Sequence, residues 1–559
     1  MEAFRDDIRV RQELQDHGVS AQPKSAAISP SPEITATRAT GEYNVPRGTV
    51  LLTVQQAIIY PISFIFYLLI ARILTKSDVG EISLLLAAIA IFGAITQVAL
   101  PVAATQFISG SIAHRDSSTA AAVAKTTTRL VLMIASPSLL LVGLLSPWIG
   151  SIVFGNGDAA LLLVVTFVSA FLLDLIALYG AYFLGLGLYA QRAYQFILFV
   201  PLSRGIGLIL AYLGLGVLGI VLGWAIGAMA ALLLSMYFWR GRLPQGSSYP
   251  VRPLFQFSAP LFAAALITLG QGWGDLALLQ AIRGQLATTG AYFLVVNSVG
   301  GIGLSSVGPL SVIWSPVAAA LYPALAAGYS KAGREAVSRM LNTAFRLTNL
   351  LVLPVGTALA AVAPTALELA YGNSYAVEAL PFAILTLTAI FASQATLLTT
   401  ALQAMKKTPQ LLKVTLVATI VDLTVVALTA KPLGTTGGAI GRGLLGLTTV
   451  LLAQRALGPT ISASTNRGIR KAIFLAAALG FPLFLTDQSL VIFLHLKATL
   501  RLPILLAVFA LVFLTACRWL SVFESDDFAV LRAAVPSILQ RPLKAIQRIL
   551  TKERPAASK

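Results

Sequence analysis

The chain has 559 residues, of which 57% are hydrophobic and only 11% are charged. Soluble domains carry about 25% charged residues, so this composition excludes an ordinary soluble globular protein. The single cysteine excludes an intramolecular disulfide, and three histidines standing far apart in the sequence indicate neither a metal site nor a metal cofactor.

Residues 1–47 are polar and predict a disordered cytoplasmic tail. Segments of roughly 20 apolar residues follow, and each can cross a hydrocarbon core of about 30 Å as a helix. We place fourteen helices at about 49–71, 80–108, 128–150, 160–186, 194–213, 217–239, 255–281, 290–318, 343–366, 377–403, 411–430, 435–456, 471–487 and 503–523. The apolar runs are continuous, unlike the alternating pattern of a barrel strand, so the predicted fold class is an all-α polytopic membrane protein.

The net charge of +18 could indicate nucleic acid, but the basic residues follow the topology of the helices. The even-numbered loops and adjoining helix ends hold 18 Lys and Arg residues, whereas the odd-numbered ones hold 6. Cytoplasmic loops carry the excess of basic residues, so both termini are predicted in the cytoplasm, as part of a multi-pass protein of the cytoplasmic membrane. Residues 525–559 predict a basic amphipathic tail that lies on anionic lipid, with a solvated charged tail as the alternative.

Short sequence elements recur at a nearly constant offset. Gly80 recurs as Gly290, 210 positions later, and Pro101 recurs within a similar segment as Pro316, at an offset of 215. Gly216, Gly219 and Gly223 recur as Gly434, Gly437 and Gly441, at an offset of 218. We therefore expect two parallel six-helix bundles, 48–240 and 254–457, followed by two additional transmembrane helices in 470–524. Close helix packing is the favoured role of the glycines.

Charged and amide side chains inside the predicted helices are the candidates for a substrate or ion pathway. A charge at the bilayer centre costs about 2.5–3.5 kcal/mol, so it usually faces a partner or water. The candidates are Arg204, Asp275, Asp174, Gln55, Gln56, Asn297 and Arg442. Asp275 and Arg204 could line a cleft between the bundles, and Asp422 could pair locally with Arg442. Structural ion pairs and interhelical hydrogen bonds are the alternative roles.

Several short motifs resemble one family of transporters. They are Ala71 to Gly80, Leu321-Tyr322-Pro323-Ala324-Leu325, Tyr371-Gly372 after Ala363-Pro364, and Asp275 ahead of Gly290-Ala291-Tyr292. Taken together in their chain order, they resemble the polysaccharide biosynthesis and O-antigen flippases of the multidrug/oligosaccharidyl-lipid/polysaccharide exporter superfamily, over about residues 49 to 460.

The resemblance implies two six-helix bundles around a central cavity, often with two added helices. It also implies that the chain moves an isoprenoid-pyrophosphate-linked oligosaccharide across the cytoplasmic membrane by alternating access. The expected partners are the lipid-linked sugar, membrane lipid and a coupling ion, H⁺ or Na⁺, and no nucleic acid. Asp275 is carried over as a position in the family pattern.

Other functions stay open at this point. An ion-coupled drug or cation antiporter of the same superfamily is the main alternative. A membrane glycosyltransferase or polymerase would need a sizeable outer loop and suitably placed carboxylates, whereas these loops are short. The sequence contains no G-x-x-x-x-G-K-[ST] phosphate loop. A structural scaffold is the third alternative. We therefore expect a transporter rather than an enzyme, with no cofactor.

Overall fold

The computed structural model describes residues 45–154, 159–243, 247–300, 308, 310–459 and 468–519, which form α-helices and no β-strand. In chain order the α-helices are α1 (Val45–Ile73), α2 (Lys76–Gln97), α3 (Leu100–Ala113), α4 (Ser117–Phe154), α5 (Ala160–Gly185), α6 (Tyr189–Leu210), α7 (Gly216–Trp239), α8 (Val251–Arg283), α9 (Leu286–Val299), α10 (Ser311–Ala361), α11 (Ala363–Tyr371), α12 (Ala379–Ala404), α13 (Thr408–Leu433), α14 (Thr435–Leu457), α15 (Ile469–Ile492) and α16 (Ala498–Trp519). A π-helical turn, Ala211–Leu215, joins α6 to α7, and a 3-10 helix, Asn373–Glu378, precedes α12.

The predicted fold class is confirmed, since every predicted transmembrane helix has a counterpart. Twelve segments of the described residues are long and apolar enough to span a membrane, and one of them, Tyr189–Trp239, contains both α6 and α7. The short apolar helix α9 supplies the remaining counterpart. The tails predicted at 1–47 and 525–559 lie outside the described residues, apart from the first residues of α1.

Two of the predicted helices are interrupted. The segment predicted at 80–108 breaks at Val98 and Ala99, which adopt left-handed φ angles of 47° and 56°. Pro101 lies in the first turn of α3, where its missing N–H is harmless, whereas it could not continue α2. The helix predicted at 290–318 ends instead at Val299, where Gly300 caps it. The loop expected before residue 343 is helical, because α10 runs from Ser311 to Ala361.

The first motif of the family resemblance starts α2. Thr75 precedes the helix in an extended conformation, and its hydroxyl accepts a hydrogen bond from the backbone N–H of Asp78. The Asp78 carboxylate in turn accepts one from the backbone N–H of Thr75, at 3.0 Å. This reciprocal capping box satisfies two donors that a helix start would otherwise leave without partners.

Within the first half of the chain, α6 packs on α7 and α1, and α5 packs on α2, α3, α4 and α7. Within the second half, α12 packs on α10 and α14, and α13 packs on α8 and α14. The final two helices pack on each other, with α15 also against α10 and α16 against α11.

The two halves meet through α2 and α9, at the glycines that the repeat singled out. A Cβ atom on Gly80 would lie 2.0 Å from the backbone oxygen of Leu286, and one on Gly290 would lie 2.2 Å from that of Lys76. Both partners, like both glycines, differ by 210 positions. The contact is therefore symmetric between the repeats, and only glycine permits this backbone approach.

A second set of contacts joins α1 and α2 to the end of α11. The Arg72 guanidinium donates hydrogen bonds to the carbonyl oxygens of Leu369 and Ala370. The Lys76 ammonium donates to the carbonyl oxygen of Ser374, at 2.5 Å, and lies 4.8 Å from the ring centre of Tyr375. Cations at the last carbonyl groups of a helix are also attracted by the partial negative charge of the helix dipole at that end. We call these contacts the Arg72/Lys76 clasp.

Candidate functional site

The second half of the chain contains a buried charge cluster built from α8, α9, α13 and α14. Asp275 on α8 is fully buried and accepts two hydrogen bonds from Arg442 on α14, at 2.8 and 3.0 Å. Arg442 also donates to the carbonyl oxygen of Gly272, at 2.9 Å. The hydroxyl of Tyr292 on α9 donates to Asp275 at 2.5 Å. The structure thus pairs two predicted site residues in a bidentate ion pair.

Asp422 on α13 belongs to the same cluster without sharing its hydrogen bonds. Its carboxylate is fully buried, and neither oxygen has a hydrogen-bond partner among the described residues. It is close enough to interact electrostatically with Asp275 and Arg442. Asp422 forms no hydrogen bond with Arg442, because the guanidinium hydrogen bonds are taken up by Asp275 and Gly272, so the local pairing that the sequence suggested is electrostatic only.

Gly441 explains how Asp422 fits beside α14. A Cβ atom at Gly441 would lie 2.6 Å from the carboxylate of Asp422. The repeated glycine motif therefore serves close packing, as expected, and it also makes room for a buried carboxylate. Asp422 and Arg204 stand 218 positions apart, which is the offset of that glycine motif. The two repeats thus place opposite charges at corresponding points.

A cavity of about 550 Å³ lies within the second bundle and reaches Arg442. Helices α8, α9, α10, α12, α13 and α14 contribute to its wall. Its polar lining consists of Arg442, Gln271, Gln403 and seven threonines, namely Thr268, Thr388, Thr396, Thr399, Thr408, Thr415 and Thr449. The wall offers hydroxyl and amide groups and one cation to a bound molecule, between stretches of apolar surface.

Arg204, the other residue expected to line a cleft with Asp275, contacts aromatic rings of α1. It is buried on α6, and its guanidinium carbon lies 5.2 Å from the ring centre of Phe66 and 5.6 Å from that of Tyr67. A guanidinium over aromatic rings is held by cation–π attraction. Helix α6 packs against α1, and the ring of Tyr67 in turn contacts Phe293 on α9, at 5.5 Å between ring centres.

Asp174 lies in the first bundle, on α5, beside the end of α2. It is buried, with 1% of its surface exposed. Its Oδ2 atom lies 2.5 Å from the hydroxyl oxygen of Thr96, and its Oδ1 accepts a hydrogen bond from the side-chain amide of Gln97, at 2.7 Å. These partners occupy the last two positions of α2, immediately before the helix break.

The predicted amide residues are scattered. Gln55 is buried on α1, with no hydrogen bond to its Oε1 atom among the described residues, whereas Gln56 beside it is exposed. Asn297 is buried on α9 and donates to the carbonyl oxygen of Phe293, at 2.8 Å. None of these three amides lines the cavity in the second bundle.

A second buried network was not predicted from the sequence, in which Asp487 indicates only a shorter thirteenth helix. Asp487 on α15 accepts a hydrogen bond from Thr365 at 2.6 Å and lies 3.4 Å from Arg501 on α16. Arg501 also donates to Glu368 at 2.6 Å and to Thr365 at 2.5 Å. The network attaches the two final helices to α11. The signal available in the sequence was an Asp and an Arg on adjacent membrane helices.

No group of three or more His, Cys, Asp and Glu side chains among the described residues is arranged to hold a metal ion. No curated protein sequence matches the chain significantly. The solved structures that resemble it are membrane transporters with low sequence identity, so the likeness shows the fold alone.

Three of these structures are informative. The lipid II flippase MurJ, in an inward closed conformation, aligns with a TM-score of 0.60 and 13% identity over 84% of this chain and 98% of MurJ. An inward-facing multidrug resistance MATE family transporter of the MOP superfamily aligns with a TM-score of 0.57 and 16% identity over 77% and 98% of the two chains. A MOP superfamily transporter from Pyrococcus furiosus aligns with a TM-score of 0.50 and 16% identity over 76% and 95%.

The family comparison reaches further than the fold. The polysaccharide biosynthesis protein family matches residues 45–328, which include all of the first bundle and the helices that carry Asp275 and Tyr292. This match covers just over half of the chain and confirms the resemblance found in the sequence motifs. The chain is therefore a member of the polysaccharide biosynthesis protein family.

Proposed function

We propose that the protein is a flippase that moves a lipid-linked oligosaccharide or polysaccharide precursor across the cytoplasmic membrane. The observation that carries the proposal is membership of the polysaccharide biosynthesis protein family. MurJ, which has the same fold, is named as a flippase of lipid II. Movement between leaflets requires no covalent chemistry, so we propose a transporter and not an enzyme.

The cavity in the second bundle supports this function physically. Sugar hydroxyls and a phosphate that cross hydrocarbon without partners cost several kcal/mol each. Threonine hydroxyls and the amides of Gln271 and Gln403 can exchange hydrogen bonds with a sugar, and Arg442 can attract an anionic group. The isoprenoid chain would stay in the bilayer while the saccharide occupies this polar wall.

We propose alternating access between the two halves, with 48–240 and 254–457 as the moving units and both termini in the cytoplasm. The odd-numbered loops, which include the Arg72/Lys76 clasp, would then lie outside. The clasp and the Gly80–Gly290 contact close that end of the molecule. The conformation described here would therefore be closed toward the outside.

A coupling cation, H⁺ or Na⁺, would bind at the charge cluster of the second bundle. Asp275 and Asp422 carry two carboxylates, and Arg442 supplies one guanidinium. A buried carboxylate without a partner is costly, so Asp422 favours binding of one further positive charge. Each charge moved through a potential of 100 mV contributes about 2.3 kcal/mol.

An ion-coupled drug or cation antiporter is the second candidate. The fold likeness to the MATE transporter favours it. The cavity argues against a cationic substrate, because its single charged lining residue, among those described, is Arg442.

The experiment is leaflet-resolved transfer of a lipid-linked oligosaccharide in proteoliposomes. We compare the unaltered chain with Thr396→Val plus Thr399→Val, which removes two hydroxyls from the cavity wall at nearly constant volume. Each lost hydrogen bond is worth about 0.5–1.5 kcal/mol, so transfer should slow by roughly twofold to tenfold for each hydroxyl that contacts the sugar.

Thr515→Val is the matched control. Thr396 and Thr515 both donate to the carbonyl oxygen four residues earlier at 2.8 Å, but Thr515 lies on an exposed face of α16. Its replacement should leave transfer unchanged. Transfer at the rate of empty liposomes, together with export of a small cation or drug by the same vesicles, would favour the antiporter instead.

A further inference from the structure

Among the buried carboxyl groups, Asp174 differs from Asp275, Asp422 and Asp487 in having no cation beside it: Asp422, although it forms no hydrogen bond, lies close enough to Arg442 to interact electrostatically. Asp275 is paired with Arg442, and Asp487 is paired with Arg501. Asp174 contacts only neutral groups, the hydroxyl of Thr96 and the amide of Gln97. It forms no ion pair with any residue that the structure describes. An ionised carboxylate in this position would therefore be a buried charge with no counter-charge.

The number of hydrogen atoms available to these contacts indicates the protonation state of Asp174. The Thr96 hydroxyl oxygen lies 2.7 Å from the carbonyl oxygen of Phe92 and 2.5 Å from Oδ2 of Asp174. Both distances are those of hydrogen bonds, yet a hydroxyl has a single hydrogen atom to donate. If Thr96 donates to Phe92, the hydrogen atom between Thr96 and Asp174 has to come from Asp174. A protonated carboxyl group at Asp174 satisfies both contacts.

The opposite oxygen of the carboxyl group agrees with this assignment. Oδ1 accepts from the Gln97 amide, so it carries no hydrogen atom, and the proton belongs on Oδ2. Gly93 makes the close approach possible, because a Cβ atom there would lie 3.1 Å from Oδ1. The pocket around Asp174 is thus shaped for a neutral acid.

Charged and titratable groups on the elements around Asp174 do not supply the missing charge. Helix α3 has none, and the groups on α2, α4, α5, α6 and α7 are Lys76, Asp78, Glu81, Lys125, Arg129, Tyr179, Tyr182, Tyr189, Arg192, Tyr194, Arg204 and Tyr237. None of them forms a hydrogen bond or an ion pair with Asp174.

The position of Asp174 links its proton to the packing of the two halves. Thr96 and Gln97 end α2, and the left-handed residues Val98 and Ala99 follow directly. Helix α2 contacts α9, and both α2 and α3 contact α8 in the second bundle. Asp174 therefore contacts the break between α2 and α3, the two helices through which the first bundle packs on α8 and α9 of the second.

We propose that Asp174 is a proton-binding site at the joint between α2 and α3, occupied by a proton when the bundles pack as described here. Loss of the proton would leave a buried charge, so it requires the contact between α2 and α5 to open or a cation to enter. The part played by this proton in transport rests on the proposed function, whereas its presence does not.

Infrared difference spectroscopy of the purified chain at about pH 7 tests the proposal. The C=O stretch of a protonated carboxyl group is separate from that of a carboxylate and shifts in D₂O. Asp174→Asn should remove one component of this acid band, and its amide can still donate to Thr96 and accept from Gln97. An unchanged acid band in a folded Asp174→Asn chain would overturn the proposal.

Asp116→Asn is the control. Hydrogen bonds from Thr119 and Ser118 lower the pKa of the Asp116 carboxyl to about 2, so it is ionised at neutral pH and its replacement leaves the acid band intact. If Asp174→Asn does not fold, Gly93→Ala serves in its place. The added methyl group presses on Oδ1 and should shift the frequency of the Asp174 component, and an unshifted band would count against the site.

The spectroscopic result is separate from transport. Loss of the acid component with no lipid transfer by the unaltered chain would remove the flippase proposal and leave the proton site standing. Lipid transfer by a chain whose acid band contains no Asp174 component would support the flippase proposal and remove the proton site.

Discussion

At the scale of single residues, the cluster around Asp275 depends on charge balance. Arg442→Gln leaves two buried carboxylates, Asp275 and Asp422, with no cation beside them. Removing one partner of a buried ion pair typically costs about 3–5 kcal/mol. We expect Arg442→Gln to lower the thermal unfolding midpoint in detergent markedly, and Asp275→Asn to do so less, because Arg442 keeps Asp422 nearby.

The double variant Asp275→Asn plus Arg442→Gln checks the pairing. Two neutral amides can hydrogen-bond to each other and leave one carboxyl group, Asp422, without a cation. The double variant should therefore be more stable than Arg442→Gln alone. Additive losses, with the double variant worse than either single one, would show that the two side chains do not act as a pair.

The sequence identified the intramembrane charges but not their partners. Asp275 and Arg442 are 167 positions apart, and nothing in a single sequence says that α8 and α14 face each other at this height. Asp422 is only 20 positions from Arg442, but it takes no part in the hydrogen bonds of the guanidinium. Arg204 was expected to line a cleft because it and Asp275 lie in different bundles, and its contacts with the rings of Phe66 and Tyr67 leave no pattern in the sequence.

At the scale of helices, the contact between α2 and α9 depends on two glycines. A methyl group on Gly80 would lie 2.0 Å from a backbone oxygen, and one on Gly290 would lie 2.2 Å from another. Because these are backbone atoms, a side-chain rotation cannot relieve the clash. We expect Gly80→Ala or Gly290→Ala to separate the two halves at this end. Spin labels at Ser77 and Ser374, in a Cys517→Ala background, would report a longer distance.

Gly143→Ala provides the comparison for the glycine variants. Gly143 lies inside α4, and nothing stands within 4 Å of an added Cβ atom there. Its replacement should leave the label distance unchanged and favour the helix by about 1 kcal/mol. If Gly80→Ala also left the distance unchanged, the close contact of α2 with α9 would not be present in the membrane.

Helix positions were predictable because apolar length decides them, whereas helix interruptions were not. Val98 and Ala99 are ordinary helix residues by composition, and Pro101 is the one residue nearby that disfavours a continuous helix. The long α10 was divided in the prediction because its middle carries polar and basic residues. That polar stretch continues the helix instead, past Gly333 with its positive φ of 63°.

At the scale of the whole molecule, α11 connects three parts of the structure. It receives Arg72 from the first bundle, belongs to the second by sequence, and is bound to the final helices through Arg501. Movement of the halves apart at this end has to break the Arg72/Lys76 clasp. The clasp therefore stabilises the contact between the halves at this end, and the sequence alone indicated only two basic residues in an odd-numbered loop.

Arg72→Gln plus Lys76→Gln should shift the equilibrium toward opening at this end. A hydrogen bond from a charged group contributes about 1.5–3 kcal/mol when it is buried. The contribution is smaller here because Arg72 is exposed. A change of about 1.4 kcal/mol would alter the ratio of closed to open molecules tenfold. The labels at Ser77 and Ser374 should show a larger long-distance population. Arg283→Gln is the control, because Arg283 donates to the carbonyl oxygen of Lys431 at 2.8 Å within the second bundle. An equal shift in both variants would mean that lost charge, and not the clasp, opens the molecule.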